Sequence, residues 1–161
     1  MKHFIWKCLQ NEAAVKEELH KRTGKGDNIC TVCGEKVETI EHMFFQCPIA
    51  QIVWKLTPVK WEGLRDLQSN MWRWWETVAQ TGTKEQGMEQ ISLTANILWQ
   101  LWKARNKSVF EQQRGEARDI VLRAQQEWIE FEETMQQETL RKQGRGVPNQ
   151  NEQTSVPSLG G

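Results

Sequence analysis

The stretch ICTVCGEKVETIEHMFFQCPIA, residues 29–50, places Cys30, Cys33, His42 and Cys47 in the spacing Cys-x2-Cys-x8-His-x4-Cys. Zinc takes thiolate and imidazole ligands in a tetrahedral array, and cysteines two residues apart can offer both sulfurs from one tight turn. Gly34, directly after Cys33, suits the positive φ that such a turn demands. Pro48 suits the first position of a helix, so a Cys47 thiolate would lie beside the partial positive charge of a helix N-terminus. Four protein ligands fill the shell, so the expected cofactor is one structural zinc ion with no open position for water or substrate.

Two other readings stand beside the metal: buried thiols next to an unrelated histidine, and a disulfide. Paired spacing in a polar, turn-rich loop favours the metal. The N-terminal run MKHFIWKCLQ carries Lys7, which interrupts any secretory apolar core. Without secretion, paired cysteines favour metal over disulfide. The expected location is therefore intracellular, nucleus or cytoplasm. Cys8 falls on the apolar face of the first helical stretch and reads as a small buried hydrophobe.

Working outward, 161 residues with 38% hydrophobic and 26% charged side chains fit a soluble protein of about one domain. Twenty-one basic residues balance 21 acidic ones, which argues against the strong positive footprint of a dedicated nucleic-acid binder. No apolar run approaches the roughly 20 residues of a membrane span, and no small-molecule substrate is expected. Nine Trp and no Tyr are unusual. Most of these Trp fall on helical apolar faces and read as core. Trp72, Trp74 and Trp75 cannot all face one side of a helix, so this cluster is expected to supply an exposed protein-contact patch.

The fold class is mostly α: a small helical domain organised around the CCHC zinc loop, then long helices and a disordered tail. The expected division is 1–60 for the zinc-binding domain, 61–142 for a helical connector and 143–161 for the tail. Phe4, Ile5, Cys8 and Leu9 recur at helical spacing, and Ala14, Val15 and Leu19 suggest a second helix ending by Thr23-Gly24. After Cys47, Ile49, Ile52, Val53 and Leu56 form the stripe of a helix closed by Thr57-Pro58. From Trp61 the pattern stays helical to Val78, then breaks at Thr81-Gly82-Thr83. A stronger helix over about 84–111 shows Met88, Ile91, Ala95, Leu98, Trp102 and Val109 on its face. The last helix, about 116–142, carries Ile120, Val121, Ala124, Trp128, Phe131 and Met135. Gln143 to Gly161 is too polar and too rich in Gly and Pro to order itself.

The metal loop and its flanks resemble the reverse-transcriptase zinc-binding domain of plant non-LTR (LINE-type) retrotransposons. The matching run begins at Phe4-Ile5-Trp6-Lys7-Cys8-Leu9 and continues through Leu19-His20-Lys21-Arg22. It covers Cys30, Cys33-Gly34, Glu38, His42, Phe44-Phe45, Cys47-Pro48, Ala50 and Trp54. Ile97 to Asn106 and Val109-Phe110 are similar to the helix between that domain and a following ribonuclease H-like domain. Residues 11–16 lack the Leu-Pro-Thr-like turn of the family. The resemblance implies an upstream polymerase and a downstream ribonuclease H, neither of which this sequence contains, so a non-enzymatic fragment of an element is expected. The acids agree: Asp27 stands alone, and Asp66 and Asp119 have no partner at catalytic spacing.

In the parent elements the resemblance implies a zinc module that helps hold RNA or DNA. Here six cations precede the finger against four acids, among them Lys21, Arg22 and Lys25. Lys103, Arg105 and Lys107 make a second basic spot with no acid between Trp99 and Phe110. Each spot reads equally well as an ordinary solvated face. Phe44 and Phe45 suit stacking on unpaired bases, with packing onto the Pro48 helix as the alternative for at least one. The candidate nucleic-acid set is thus Lys21, Arg22, Lys25, Phe44, Lys103, Arg105 and Lys107. A non-catalytic zinc module with weak RNA or DNA affinity is the leading reading. A helical protein-interaction module and a remnant without function are the alternatives.

Overall fold

The computed structural model describes residues 1–59, 61, 63–83 and 87–145. These are mostly α-helical, as the periodicity predicts. Helix α1, Lys2–Leu9, turns Ile5 and Cys8 inward, and α2 is Lys16–Thr23. A loop follows in which β structure, among the described residues, is confined to one isolated antiparallel bridge of Ile29 with Val37. A single π-helical turn, His42–Gln46, leads into α3, Pro48–Leu56. A 3-10 turn, Arg65–Ser69, precedes α4, Met71–Gln80. A second, Thr81–Thr83, comes before α5, Gly87–Phe110, and α6 is Ala117–Gly144. No described helix is long and apolar enough to cross a membrane.

The chain divides into two compact units, residues 1–129 and 130–161. The described part of the second is the distal stretch of α6, on which Phe131, Met135 and Leu140 are exposed. The tail expected over 143–161 lies outside the described residues from position 146 onward, as does the expected helix start at Lys84.

The core of the first unit gathers one face from each of α1, α3, α4, α5 and the first part of α6. Ile5 and Cys8 meet Phe44, Ala50, Val53, Trp74, Ile97, Leu98 and Val121 in one buried cluster. Aromatic rings dominate it: Phe4 packs edge-on to Phe44 and Trp99, and Phe45 lies 4.7 Å from Trp74 between centroids. Such rings contribute large buried areas and favour tilted or edge-to-face pairs. Of the nine tryptophans, Trp6 and Trp72 are exposed and the other seven are buried or half-buried.

Several expectations are corrected. Trp74 is 1% exposed, so it belongs to the core and not to a surface patch. Met71, Trp74 and Val78 form the buried face of α4, while Trp75 packs beside them and Trp72 alone projects into solvent. The helix expected from Trp61 is broken, because Asn70 takes an extended conformation and its side chain caps α4 by accepting from Arg73 N–H at 3.0 Å. On α3, Ile52 and Leu56 are exposed, and the inward face is Ile49, Ala50, Val53 and Trp54. On α5, Met88 is exposed, whereas Thr94, Arg105 and Ser108 are buried. Polar side chains, Thr94 and Arg105 among them with hydrogen-bond partners, occupy that buried face, so the apolar pattern does not trace it.

Candidate metal centre

Two local devices bring the four candidate ligands together. The first is the turn at Cys30: Gly34 N–H closes on the Cys30 carbonyl at 2.8 Å, with Gly34 at φ 71°. Two hydrogen bonds beside the Ile29–Val37 bridge, Cys30 N–H to Lys36 O and Glu38 N–H to Asn28 O, each 2.8 Å, pin this turn as a small hairpin. The second device is the π turn. In an α-helix of about 3.6 residues per turn, positions i and i+5 point well apart. Here the Cys47 N–H reaches the His42 carbonyl at 2.7 Å, an i+5 closure that draws both ends of His-x4-Cys to one side. Thr39 Oγ1 accepts from His42 N–H at 2.9 Å and fixes the start of the turn. Trp54 Nε1 donates to the Phe44 carbonyl at 2.6 Å and fixes its middle.

The donor atoms of Cys30, Cys33, His42 and Cys47 all lie within 4.8 Å of one another. Cys33 Sγ is 3.4 Å from His42 Nε2. Zinc–sulfur and zinc–nitrogen bonds of about 2.3 and 2.0 Å at a tetrahedral angle place two such ligands about 3.5 Å apart, so this spacing suits one shared ion. Cys30, His42 and Cys47 are buried and Cys33 is half-buried. The cluster can hold one metal ion, and three thiols with one imidazole fit zinc.

Electrostatics at the cluster support a cation. The Cys47 thiol donates to Cys30 and, against burial, holds the Cys30 thiol down to about 4, with help from the Cys33 and Val32 N–H groups and His42. Cys47 is pushed up by the same sharing, by burial and by the Cys30 charge, although the Ile49 N–H at the start of α3 pulls it down. One negative charge therefore resists the next. A dication removes that resistance, since thiols that coordinate zinc are deprotonated outright. Cys8 stands apart: burial pushes its thiol up to about 12, and it remains a neutral, fully buried hydrophobe.

Glu38 and Arg105 lock the metal loop to the helical core. Glu38 is fully buried and Arg105 is 4% exposed. Arg105 Nη2 lies 2.6 Å from Glu38 Oε1, and Nε lies 3.1 and 3.2 Å from the two carboxylate oxygens. Oε1 also accepts from Lys16 N–H at 2.9 Å, at the start of α2. Arg105 further stacks over Trp102, 5.2 Å from the ring centroid. Nearby, Asp27 bridges Lys16 Nζ and Ile29 N–H, and the Lys16 ammonium is the main reason its carboxyl sits below the usual range.

The candidate nucleic-acid residues are not brought together as a set. Arg105 is consumed by its ion pair and Phe44 is fully buried, so neither can meet a ligand as expected. Lys21 is exposed but paired with Glu17 and Glu18, Arg22 binds the Asn11 carbonyl, and Lys25 is exposed in the turn after α2. Lys103 and Lys107 instead line a cleft of about 430 Å³ together with Arg114 and Arg123. Glu116 and Asp119 share that cleft, and Lys103 pairs with Glu127 at 2.7 Å. Arg114 and Arg123 lie outside the basic spot read from sequence, because only the turn between α5 and α6 carries them to it.

Comparison with known proteins agrees with this picture. Residues 1–54 match the family described as zinc-binding in reverse transcriptase. That stretch runs from α1 to the Trp54 anchor of the π turn. The chain is also similar to an Arabidopsis thaliana protein named as a candidate ribonuclease H protein, with 26% identity over 113 residues. The match takes in 68% of this chain and spans only 18% of that relative's length. No solved structure matches. Both matches fit the resemblance to the reverse transcriptases of plant retrotransposons.

Proposed function

We propose that the chain is a non-catalytic zinc-binding module in which Cys30, Cys33, His42 and Cys47 hold one structural ion. The observation that carries this reading is the convergence of four donor atoms within 4.8 Å of one another. A full set of protein ligands leaves the ion no exchangeable position for a substrate. When bound, the ion supplies a crosslink between the Cys30 hairpin and the π turn. Glu38, Arg105 and Trp54 then relay that crosslink to α2, α5 and α3. In this reading residues 1–60 are the zinc-binding domain and 61–142 a helical connector. Unpaired cysteines support an intracellular setting for the module.

Weak, backbone-directed binding of RNA or DNA is part of the proposal. The cations Lys103, Lys107, Arg114 and Arg123 around one cleft offer phosphate contacts, and the relative's name points to nucleic-acid chemistry. Phosphate contacts release counterions, so affinity should fall with salt at a logarithmic slope of about −0.7 to −0.9 per contact. Lys107→Glu should lower both affinity and slope. Salt-independent binding, or none at low salt, would remove this part and leave the zinc module standing. A protein-interaction role is favoured by the exposure of large apolar side chains, Trp72 on α4 and Leu122 and Ile129 on α6. Self-association insensitive to salt would identify it.

A further inference from the structure

An aromatic cleft lined by neither the candidate metal ligands nor the cations of the basic cleft has no role so far. It measures about 750 Å³ and is lined by Trp54, Trp61, Trp74, Lys55, Arg65 and Gln68 among others. Trp74 forms its buried base, with Trp54 and Trp61 each meeting it edge-on at centroid distances of 5.8 and 6.5 Å. Two of these three indoles are satisfied: Trp54 donates to the Phe44 carbonyl and Trp61 to Thr94 Oγ1 at 3.0 Å. The third, Trp74 Nε1, is buried with no acceptor. A buried donor without a partner is uncommon and costly. No carboxylate is found among the described residues that line the cleft, while Arg65 is exposed at its edge.

We propose that this cleft is a nucleotide site that takes an unpaired base of single-stranded RNA or DNA. The inference rests on the nucleic-acid part of the proposed function and assigns its base-contacting surface. Half-buried indole faces stack on any base, and the exposed Arg65 beside them suits the adjoining phosphate. A base carbonyl gives Trp74 Nε1 the acceptor it lacks, and Gln68 offers a donor and an acceptor to a base edge. The exposed Arg65 disfavours a cationic peptide in the same place. Bases inside a duplex are already stacked and paired, so a single strand is the fitting source.

The test uses the full chain and a labelled oligo(dT) of about 12 nucleotides, within the range one stacking platform covers. Arg65→Glu, an exposed change, and Trp61→Leu are each expected to weaken binding by roughly tenfold or more, as loss of a stacked or phosphate-facing group does. Binding of a duplex of the same length should be unchanged in Trp61→Leu. Both variants retaining wild-type affinity for oligo(dT), with helical circular dichroism intact, would overturn the cleft assignment while leaving nucleic-acid binding elsewhere in place. Failure of the wild type to bind either probe at low salt would instead sink the nucleic-acid reading itself. Displacement of oligo(dT) by an equal concentration of thymidine monophosphate would assign the cleft to free nucleotides and overturn the strand.

Discussion

Arg105 on α5 holds Glu38 of the metal loop across 67 residues of chain, with its Nη2 2.6 Å from Oε1 and both groups withdrawn from water. A buried pair of this kind is costly to break from one side, because the survivor keeps its charge without its partner. Arg105→Met is therefore expected to destabilise the fold by about 3 kcal/mol or more, read from urea unfolding. Combining it with Glu38→Gln should recover part of that loss. A single variant as stable as the wild type would remove the clamp from the account.

Loss of one ligand should loosen the π turn beyond the metal itself. Cys33→Ser is expected to weaken zinc binding and to release the Trp54 indole from the Phe44 carbonyl. The Trp54 indole N–H would then exchange faster with solvent in an NMR experiment. Cys8→Ser should leave zinc stoichiometry unchanged, since Cys8 lies outside the ligand cluster. Zinc lost in the Cys8 variant would contradict the ligand assignment.

Two glycines should respond differently to alanine. Gly34 adopts φ 71° with open space around its Cα, so Gly34→Ala meets only the left-handed backbone penalty, about 1 kcal/mol. A Cβ at Gly87 would collide with the backbone carbonyl of Thr81. Gly87→Ala must therefore displace backbone and is expected to cost more, lowering the melting temperature further than Gly34→Ala. The reverse order would count against the packing of α5 on the Thr81–Thr83 turn.

Alkaline stability should carry the signature of Cys8. Its pKa rises from 9.0 to about 12 on folding because burial disfavours the thiolate. The folded state thus keeps a proton that the unfolded state releases. The stabilisation is complete below pH 9 and declines as pH climbs from 9 towards 12, by up to about 1.4 kcal/mol per pH unit. Unfolding of wild type and Cys8→Ala compared over that window should differ by this slope, with the wild type losing stability faster as pH rises.

The metal spacing, the helical class and the inward turn of Cys8 were legible in the sequence because each rests on local spacing. The π turn was not. His-x4-Cys reads as two points on a continuing helix until the i+5 hydrogen bond is seen. The clamp of Glu38 with Arg105 was hidden for another reason: partners so far apart are joined only by the tertiary fold. Arg105 lies in a basic run that looks solvated, yet Glu38 and Trp102 enclose it. The inward turn of Trp74 is hidden because three crowded tryptophans share one short segment, and only the register of Met71, Trp74 and Val78 decides which ring goes in. The Trp74 indole N–H without an acceptor, in the ring at the base of the aromatic cleft, has no sequence signal at all.

The most direct test of the central claim is the zinc content of the purified chain by elemental analysis, with Cys47→Ser measured in parallel. The four converging ligands predict one zinc per chain in the wild type and a reduced or absent content in the variant. A wild-type chain that remains helical but takes up no zinc after reduction and exposure to the metal would contradict the account.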